Sequence, residues 1–379
     1  MSFERINLHL SDCDWNAAVC KTVDVLQSGG IAVVPTETVY GLAARLADSR
    51  AVQKLIKLKG RNENHPFALA FPCTDAIEDL CAEMSPLARR LARRCMPGPV
   101  SLVLDIPAES VFWKLPPHVQ QAVSLNASVC CRVSDHPLLL TVLGEMNEPI
   151  VLTSANKTGH RESTHVDHII ADIGHGIDLV LDDGSIASPK PSTIVKVSGN
   201  GYTVLREGAI TSETVKRLAA LMILFVCTGN TCRSPMAEYL CEKMLAERFH
   251  CTPDTLERHG IVVLSAGVAA DEGQPASMHA VEVLKDYGID ASYHRSLPLG
   301  ETHVRFADYI FTMTRHHREK ILSMWHNVDS RLSVLRSDGG DIADPFGCSA
   351  SAYRSCAEQI QREIGQRLAE IDSDSVMGL

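Results

Sequence analysis

Met222-Ile223-Leu224-Phe225-Val226-Cys227-Thr228-Gly229-Asn230-Thr231-Cys232-Arg233-Ser234-Pro235-Met236-Ala237-Glu238 decides the fold of the second half of this chain. An apolar run of strand length ends in a cysteine. A short polar loop follows, and a helix opens at Arg233. Backbone N–H groups at such a loop and helix N-terminus gather around an anion. Gly229 permits close backbone approach, and Asn230 tolerates a left-handed conformation. Arg233 supplies a planar fork for two phosphate oxygens. Cys227 stands at the floor as a nucleophile. Cysteine attacks as its thiolate, the form that a helix N-terminus and an adjoining cation favour. Ser234 can hydrogen-bond that sulfur. The leaving group needs a proton, and Asp344 in Asp344-Pro345-Phe346 is the candidate acid, in a loop stiffened by proline.

With this loop and Asp344, residues 222–372 resemble the low-molecular-weight protein-tyrosine phosphatase family. The resemblance extends to Ser265-Ala266-Gly267, Gln274-Pro275-Ala276, Gly288-Ile289-Asp290, His294-Arg295-Ser296 and Asp308 to Thr314. It implies a four-stranded parallel, Rossmann-like sheet with flanking helices. It also implies Cys227 as nucleophile, Arg233 as phosphate binder and Asp344 as general acid, with Thr228, Gly229, Asn230 and Cys232 completing the phosphate loop. In that family a cysteine placed like Cys232 can close a protective disulfide with the nucleophile; a small buried residue is the other reading, and both stand open. Within the family, CTGNTCRSPMAE and Asp344-Pro345-Phe346-Gly347 resemble the protein-arginine phosphatase branch. That likeness implies that Thr231 sets specificity for phosphoarginine and that Phe346 forms a pocket wall. Cys348 and Ala269-Ala270 depart from the common patterns. A phosphotyrosine phosphatase and an arsenate reductase, with Cys348 or Cys356 as resolving thiol, are the alternatives. No cofactor is expected for this half.

The first 210 residues carry a different set of signals. Gly29 to Val34 reads as a turn and a buried strand, and it runs into Pro35-Thr36-Glu37-Thr38-Val39-Tyr40-Gly41-Leu42. Lys59-Gly60-Arg61 follows a helical stretch from Ala51 to Leu58. Pro97 to Leu104, Cys131-Arg132-Val133-Ser134, and Pro149 to Asn156 read as strands with functional ends. Asp182-Asp183-Gly184, Ser192-Thr193-Ile194-Val195 and Leu205-Arg206-Glu207-Gly208-Ala209-Ile210 complete the series. In this order they resemble the YrdC family of threonylcarbamoyl-AMP synthases, over residues 5–220.

That resemblance implies a twisted α/β sheet with a large basic cavity. It implies formation of threonylcarbamoyl-AMP from L-threonine, bicarbonate and ATP. The product would pass to a tRNA-modifying transferase complex. Separated cations suit ATP, so Lys59, Arg61, Arg132 and Arg206 are its expected ligands, with Ser154, Asn156 and Thr164. Thr36 and Ser192 are the expected threonine contacts, and Tyr40 a pocket wall. Catalysis would rest on positioning and charge neutralisation, with Mg2+ held mainly through the phosphates. Asn62, His65-Pro66-Phe67 and Ser185 depart from the family's usual residues. A non-catalytic RNA- or nucleotide-binding module is the alternative for this half.

Bulk properties agree with two globular α/β domains, expected at 1–220 and 221–379. The chain has 379 residues, 45% hydrophobic and 22% charged, too long for one ordinary small domain. Its 13 cysteines show no paired C-x-x-C zinc spacing, and no metal site is expected. No apolar run spans a membrane and the N-terminus lacks a signal-peptide core, so a reducing cytoplasm is expected. A net charge of −10 opposes bulk nucleic-acid binding. Arg89-Arg90-Leu91-Ala92-Arg93-Arg94 is the one stretch that could touch tRNA, and a solvated helix face is its plainer reading.

Overall fold

The computed structural model describes residues 3–10, 13–60, 65–81, 84–160, 163–186 and 190–373. The chain divides into two compact units, residues 1–215 and 216–379.

The first unit is built on a mixed eleven-stranded sheet. From one edge the strands are Glu4–Asn7, Leu179–Asp182, Ala32–Val34, Gly41–Arg45, Ile150–Ser154, Ala68–Ala70, Ser128–Arg132, Val100–Asp105, Thr193–Ser198 and Gly201–Arg206. Ser124–Leu125 pairs with Ser128–Arg132 off this path. Residues 35–40 turn the chain between Ala32–Val34 and the antiparallel strand Gly41–Arg45, where Val34 faces Gly41. Gly41 in turn faces Ser154, so this turn lies beside the Ser154-Ala155-Asn156 loop. Helix Ser49–Lys59 is capped by Asp48 at its start and by left-handed Gly60, with φ of 59°, at its end. That stop leaves Lys59 at the last helical position, where the helix C-terminus favours a cation.

One feature of this unit departs from the plain sequence reading. Helix Pro86–Cys95 carries the arginine run, but Arg90 and Arg94 are buried, at 5% and 6% exposure. The helix therefore does not present its arginines as one solvated face. The Leu205 to Ile210 segment folds back on Thr193, whose Oγ1 accepts from the N–H of Gly208 and of Ile210, both at 3.0 Å.

The second unit has a four-stranded sheet in the order Ile261–Gly267, Leu221–Cys227, Tyr309–Thr312, Leu332–Val334, with every pair parallel. Leu221–Cys227 is central and buried on both faces, as parallel strands are. Ile223 and Phe225 pack towards helices Arg233–Arg248, Met278–Asp286 and Ala350–Ser373. Leu224 and Val226 pack on the opposite face against Val304, Ile310, Ile321 and Val328. Connections leave this strand for both sides of the sheet. Its C-terminal end is thus a topological switch point, where open α/β sheets bind ligands. Cys227 sits at that end. No helix among the described residues is long and apolar enough to cross a membrane.

Candidate active sites

In the second unit the loop after Cys227 is held from outside. The carbonyl of Cys227 accepts from Val268 N–H at 3.0 Å, and that of Thr228 from Ala269 N–H at 2.9 Å. Asn230 O accepts from His294 Nε2 at 2.8 Å. Thr231 O accepts from Ser277 N–H at 2.8 Å, and Cys232 O from Met236 N–H at 3.2 Å. Across a trans peptide the next N–H points opposite its carbonyl. The N–H groups of Thr228, Gly229, Thr231, Cys232 and Arg233 are therefore turned to the loop's interior, which forms an anion nest.

Asn230 is the loop's anchor. It is fully buried with φ of 54°, and its N–H donates to Cys227 Sγ at 3.2 Å. Its amide donates to Ser234 Oγ at 2.9 Å and Ser265 Oγ at 2.7 Å, and its Oδ1 accepts from Leu297 N–H at 2.8 Å. Ser265 Oγ donates to Glu238 Oε2 at 2.5 Å. Burial pushes the Glu238 carboxyl up to about 7 against that hydrogen bond. Gly267 has no room for a side chain: a Cβ there would lie 2.5 Å from Thr228 O and 2.9 Å from Asn230 N. The Ser265-Ala266-Gly267 and His294-Arg295-Ser296 motifs thus brace the phosphate loop from behind.

Ser234 Oγ lies 3.0 Å from Cys227 Sγ. Arg233, 4% exposed, donates from Nη2 to Asp344 Oδ2 at 2.5 Å and from Nη1 to Ile342 O at 3.2 Å. Asp344 Oδ1 accepts from Phe346 N–H at 3.2 Å, and the Phe346 ring is 74% exposed. Cys227, Arg233, Ser234 and Asp344 are therefore brought together. Thr231 Oγ1 lies 3.7 Å from Cys232 Sγ, and Cys232 Sγ lies 3.2 Å from Tyr353 Oη. All thirteen cysteines are free thiols.

The first unit holds a cavity of about 390 Å³ lined by Thr36, Lys59, Arg132, Ser154, Asn156, Ser192 and Arg206, together with Tyr40 and others. Seven of the sequence-expected ligands converge there. Thr164 is not in the described lining, and Arg61 lies outside the described residues. Lys59 Nζ donates to Ser154 O at 2.8 Å, Asn156 O at 2.5 Å and Asn156 Oδ1 at 2.9 Å, so the lysine ties the Ser154 to Asn156 loop down. Arg206 donates to Ser192 O at 2.8 Å, and Ser192 Oγ lies 3.0 Å from Ser101 Oγ. Thr36 Oγ1 donates to Val39 O at 2.6 Å and closes the turn over residues 36–39. Tyr40 Oη donates to Gly184 O at 2.8 Å and accepts from Asp183 N–H at 2.9 Å. Burial raises its phenol, which fits a neutral wall residue.

Two residues at these sites were missed by sequence reasoning. Glu37 Oε1 stands 2.9 Å from Arg132 Nη2, and Glu37 Oε2 accepts from Ser134 Oγ at 2.5 Å. Burial pushes that carboxyl up, but Arg132 and Ser134 outweigh it and hold it below the usual range. Glu37 thus holds Arg132, one of the cavity's cations, although Glu37 itself is not in the described lining. His317, 3% exposed, lies 2.9 Å by Nε2 from Thr228 Oγ1 and 2.9 Å by Nδ1 from Thr314 Oγ1. Burial, then Arg233 and His316, lower its imidazole to about 4, against Asp344 and Asp341. The Thr314-x-x-His317 cap spacing was its only signal. Among the described residues no group of three or more His, Cys, Asp or Glu side chains could hold a metal ion.

A family model named for Sua5, YciO and YrdC and described as telomere recombination matches residues 24–208. A second, described as low molecular weight phosphotyrosine protein phosphatase, matches residues 222–377. The protein-arginine-phosphatase of Geobacillus stearothermophilus is 41% identical over 152 residues, 39% of this chain and 93% of that protein. The putative threonylcarbamoyl-AMP synthase of Mycobacterium tuberculosis is 32% identical over 197 residues, 52% of this chain and 87% of that protein.

The chain belongs to both families.

It is a fusion of a Sua5/YrdC-family unit with a low-molecular-weight phosphatase-family unit. It spans about half, 55%, of the threonylcarbamoyl-AMP synthase of Bacillus subtilis, at 29% identity over 52% of this chain. The solved Sua5 of P. abyssi shares the fold of the Sua5/YrdC-family unit, with a TM-score of 0.51, 21% identity, and coverage of 70% of this chain and 91% of that one.

Proposed function

We propose that the chain is a bifunctional enzyme. Its second unit hydrolyses phosphorylated protein side chains, phosphoarginine in preference to phosphotyrosine. The observation that carries this reading is the Arg233–Asp344 pair above Cys227. The Cys227 thiolate attacks phosphorus as the P–N bond breaks, Asp344 as general acid gives the leaving nitrogen its proton, the nest and Arg233 hold the three equatorial oxygens, and a cysteinyl-phosphate forms. Ser234 steadies the sulfur as the intermediate is hydrolysed. Asp344 already holds one guanidinium; a substrate guanidinium leaving from phosphorus presents the same group to it. Thr231 is assigned to set specificity for that leaving group, and Phe346 to form a pocket wall, by motif position. Ala269, bonded to Thr228 O, stands where an aromatic wall would favour tyrosine.

The first unit forms threonylcarbamoyl-AMP and pyrophosphate from L-threonine, bicarbonate and ATP, for a separate tRNA-modifying transferase. The convergence of Thr36, Lys59, Arg132, Ser154, Asn156, Ser192 and Arg206 on one cavity carries this reading. Thr36 and Ser192 hold threonine, and the cations and the Ser154 to Asn156 loop hold ATP with its Mg2+. Arg61 and Thr164 are assigned to ATP by motif position.

The test is one preparation of the full chain assayed four ways. Phosphoarginine and phosphotyrosine peptides are compared for wild type and Cys227→Ser. Pyrophosphate release is followed with threonine and bicarbonate present and withheld. A preference for phosphotyrosine, or pyrophosphate release indifferent to threonine, refutes the corresponding half.

A further inference from the structure

His317 lies outside the loop that carries Cys227, yet it is bonded to it. Strand Tyr309–Thr312 runs parallel beside Leu221–Cys227. The helix that follows it, Arg315–Met324, is capped by Thr314. This brings the first turn of that helix against the phosphate loop. His317 reaches from there to Thr228, the residue directly after the nucleophile. Thr228 is exposed while Cys227 is buried, so Thr228 stands at the open side of the loop, with its hydroxyl held by His317.

The imidazole is buried beside Arg233 and stays neutral above about pH 4. A neutral imidazole has one N–H and one lone pair, and here each ring nitrogen faces a hydroxyl. Thr314 Oγ1 accepts from His317 N–H at 3.3 Å as a helix cap, which leaves its own proton to be donated. Donation from Thr314 Oγ1 to Nδ1 forces Nε2 to carry the proton. Nε2–H then donates to Thr228 Oγ1, and the Thr228 hydrogen is left free. The reverse chain would spend that hydrogen on Nε2 and turn oxygen lone pairs towards a bound anion. An anion in the nest selects the first direction.

We propose that His317 is a positioning residue of the phosphatase-family site: its Nε2–H bond to Thr228 Oγ1 turns the Thr228 O–H towards a phosphoryl oxygen. The loop thereby gains one side-chain donor in addition to its backbone N–H groups and Arg233. The bond matters most in the transition state, where the equatorial oxygens and a nearly planar phosphorus fill the mouth. This inference rests on the phosphatase reading of the unit.

The test uses the full chain and five variants: Thr228→Val, Thr228→Ser, His317→Ala, His317→Gln and the double variant Thr228→Val/His317→Ala. Two readouts are taken, turnover of p-nitrophenyl phosphate and equilibrium binding of orthovanadate, which adopts the transition-state shape. Thr228→Val and His317→Ala should each lower kcat about tenfold, with KM nearly unchanged, and weaken vanadate by a similar factor. The double variant should be no worse than either single one, because the two act in one chain. Thr228→Ser, which keeps the hydroxyl, should recover most of what Thr228→Val loses. His317→Gln, whose amide can also donate to Thr228, should recover most of the loss. Independent, multiplying effects of the two substitutions overturn the proposal, as does vanadate binding unaffected by Thr228→Val. A chain that binds vanadate with the expected variant pattern but turns over no phosphoester refutes the phosphatase reading and leaves the role of His317 standing.

Discussion

Arg233 Nη2 and Asp344 Oδ2 stand 2.5 Å apart, joining residues separated by 111 positions in the chain. The proposed phosphate binder and the proposed leaving-group carboxylate are therefore joined directly. The guanidinium is buried while the carboxylate is half exposed, so the open side of the pair is the carboxylate.

Asp344→Asn keeps the shape and removes the charge. Hydrolysis of phosphoarginine should fall about a hundredfold in kcat/KM. With p-nitrophenyl phosphate, whose leaving group needs little help, the fall should be smaller. Steady-state kinetics on both substrates check this; equal losses would contradict a special partnership with guanidinium.

Thr231→Ile replaces a hydroxyl at the half-buried lip of the loop by an aliphatic branch. The ratio of phosphoarginine to phosphotyrosine turnover should drop by about tenfold or more, a change of roughly 1.4 kcal/mol or more in relative barriers. Competition between the two phosphopeptides in one reaction gives the ratio directly.

Asn230→Ala strips the amide that serves Ser234, Ser265 and the Leu297 N–H. Leaving the Leu297 N–H donor and the two serine acceptors without this partner costs about 1–3 kcal/mol each. Denaturant unfolding of the second unit should move to a lower midpoint. Cysteinyl-phosphate formation, followed by rapid quench, should slow because the N–H on Cys227 Sγ is no longer fixed.

Lys59→Met retains the stem and removes the ammonium that binds Ser154 O, Asn156 O and Asn156 Oδ1. Threonine-dependent pyrophosphate release should be lost by at least about a hundredfold, while Cys227 chemistry persists. Parallel assays of both activities on one sample separate this from general unfolding.

Glu238 and Glu242 give the second unit a pH signature. Burial raises the Glu238 carboxyl to about 7, and burial followed by Glu238 raises Glu242 to about 8, from an ordinary 4.5. The folded chain therefore binds more protons than the unfolded chain between these values. Their contribution to stability is complete below about pH 4.5 and is lost as pH rises through 7 to 8. Melting of Glu238→Gln/Glu242→Gln should show a flatter decline from pH 5 to 8 than wild type; an identical slope would falsify the assignment.

The two halves were legible to different depths. The strand, loop and helix around Cys227 could be read because their chemistry is contiguous in sequence. Ser265, Gly267 and His294 were visible as motifs, but their shared task of bracing Asn230 needs the register that sets Cys227 beside Gly267. His317 and Glu37 were invisible as site residues, since each acts through a partner about ninety positions away. The burial of Arg90 and Arg94 escaped because the charges of a helix do not announce which face turns inward. Sheet order in the first unit, with Glu4–Asn7 beside Leu179–Asp182, is a long-range pairing that no local pattern encodes.

The outward-facing carbonyls around Cys227 have a kinetic consequence. Each is bonded to another part of the same unit, so the loop's curvature is a property of the resting protein. A phosphoryl group entering or leaving would exchange with water inside a ring that keeps its shape. Catalytic cycles at this site should then run without a closing or reopening stroke, and added viscogen should leave kcat unaltered.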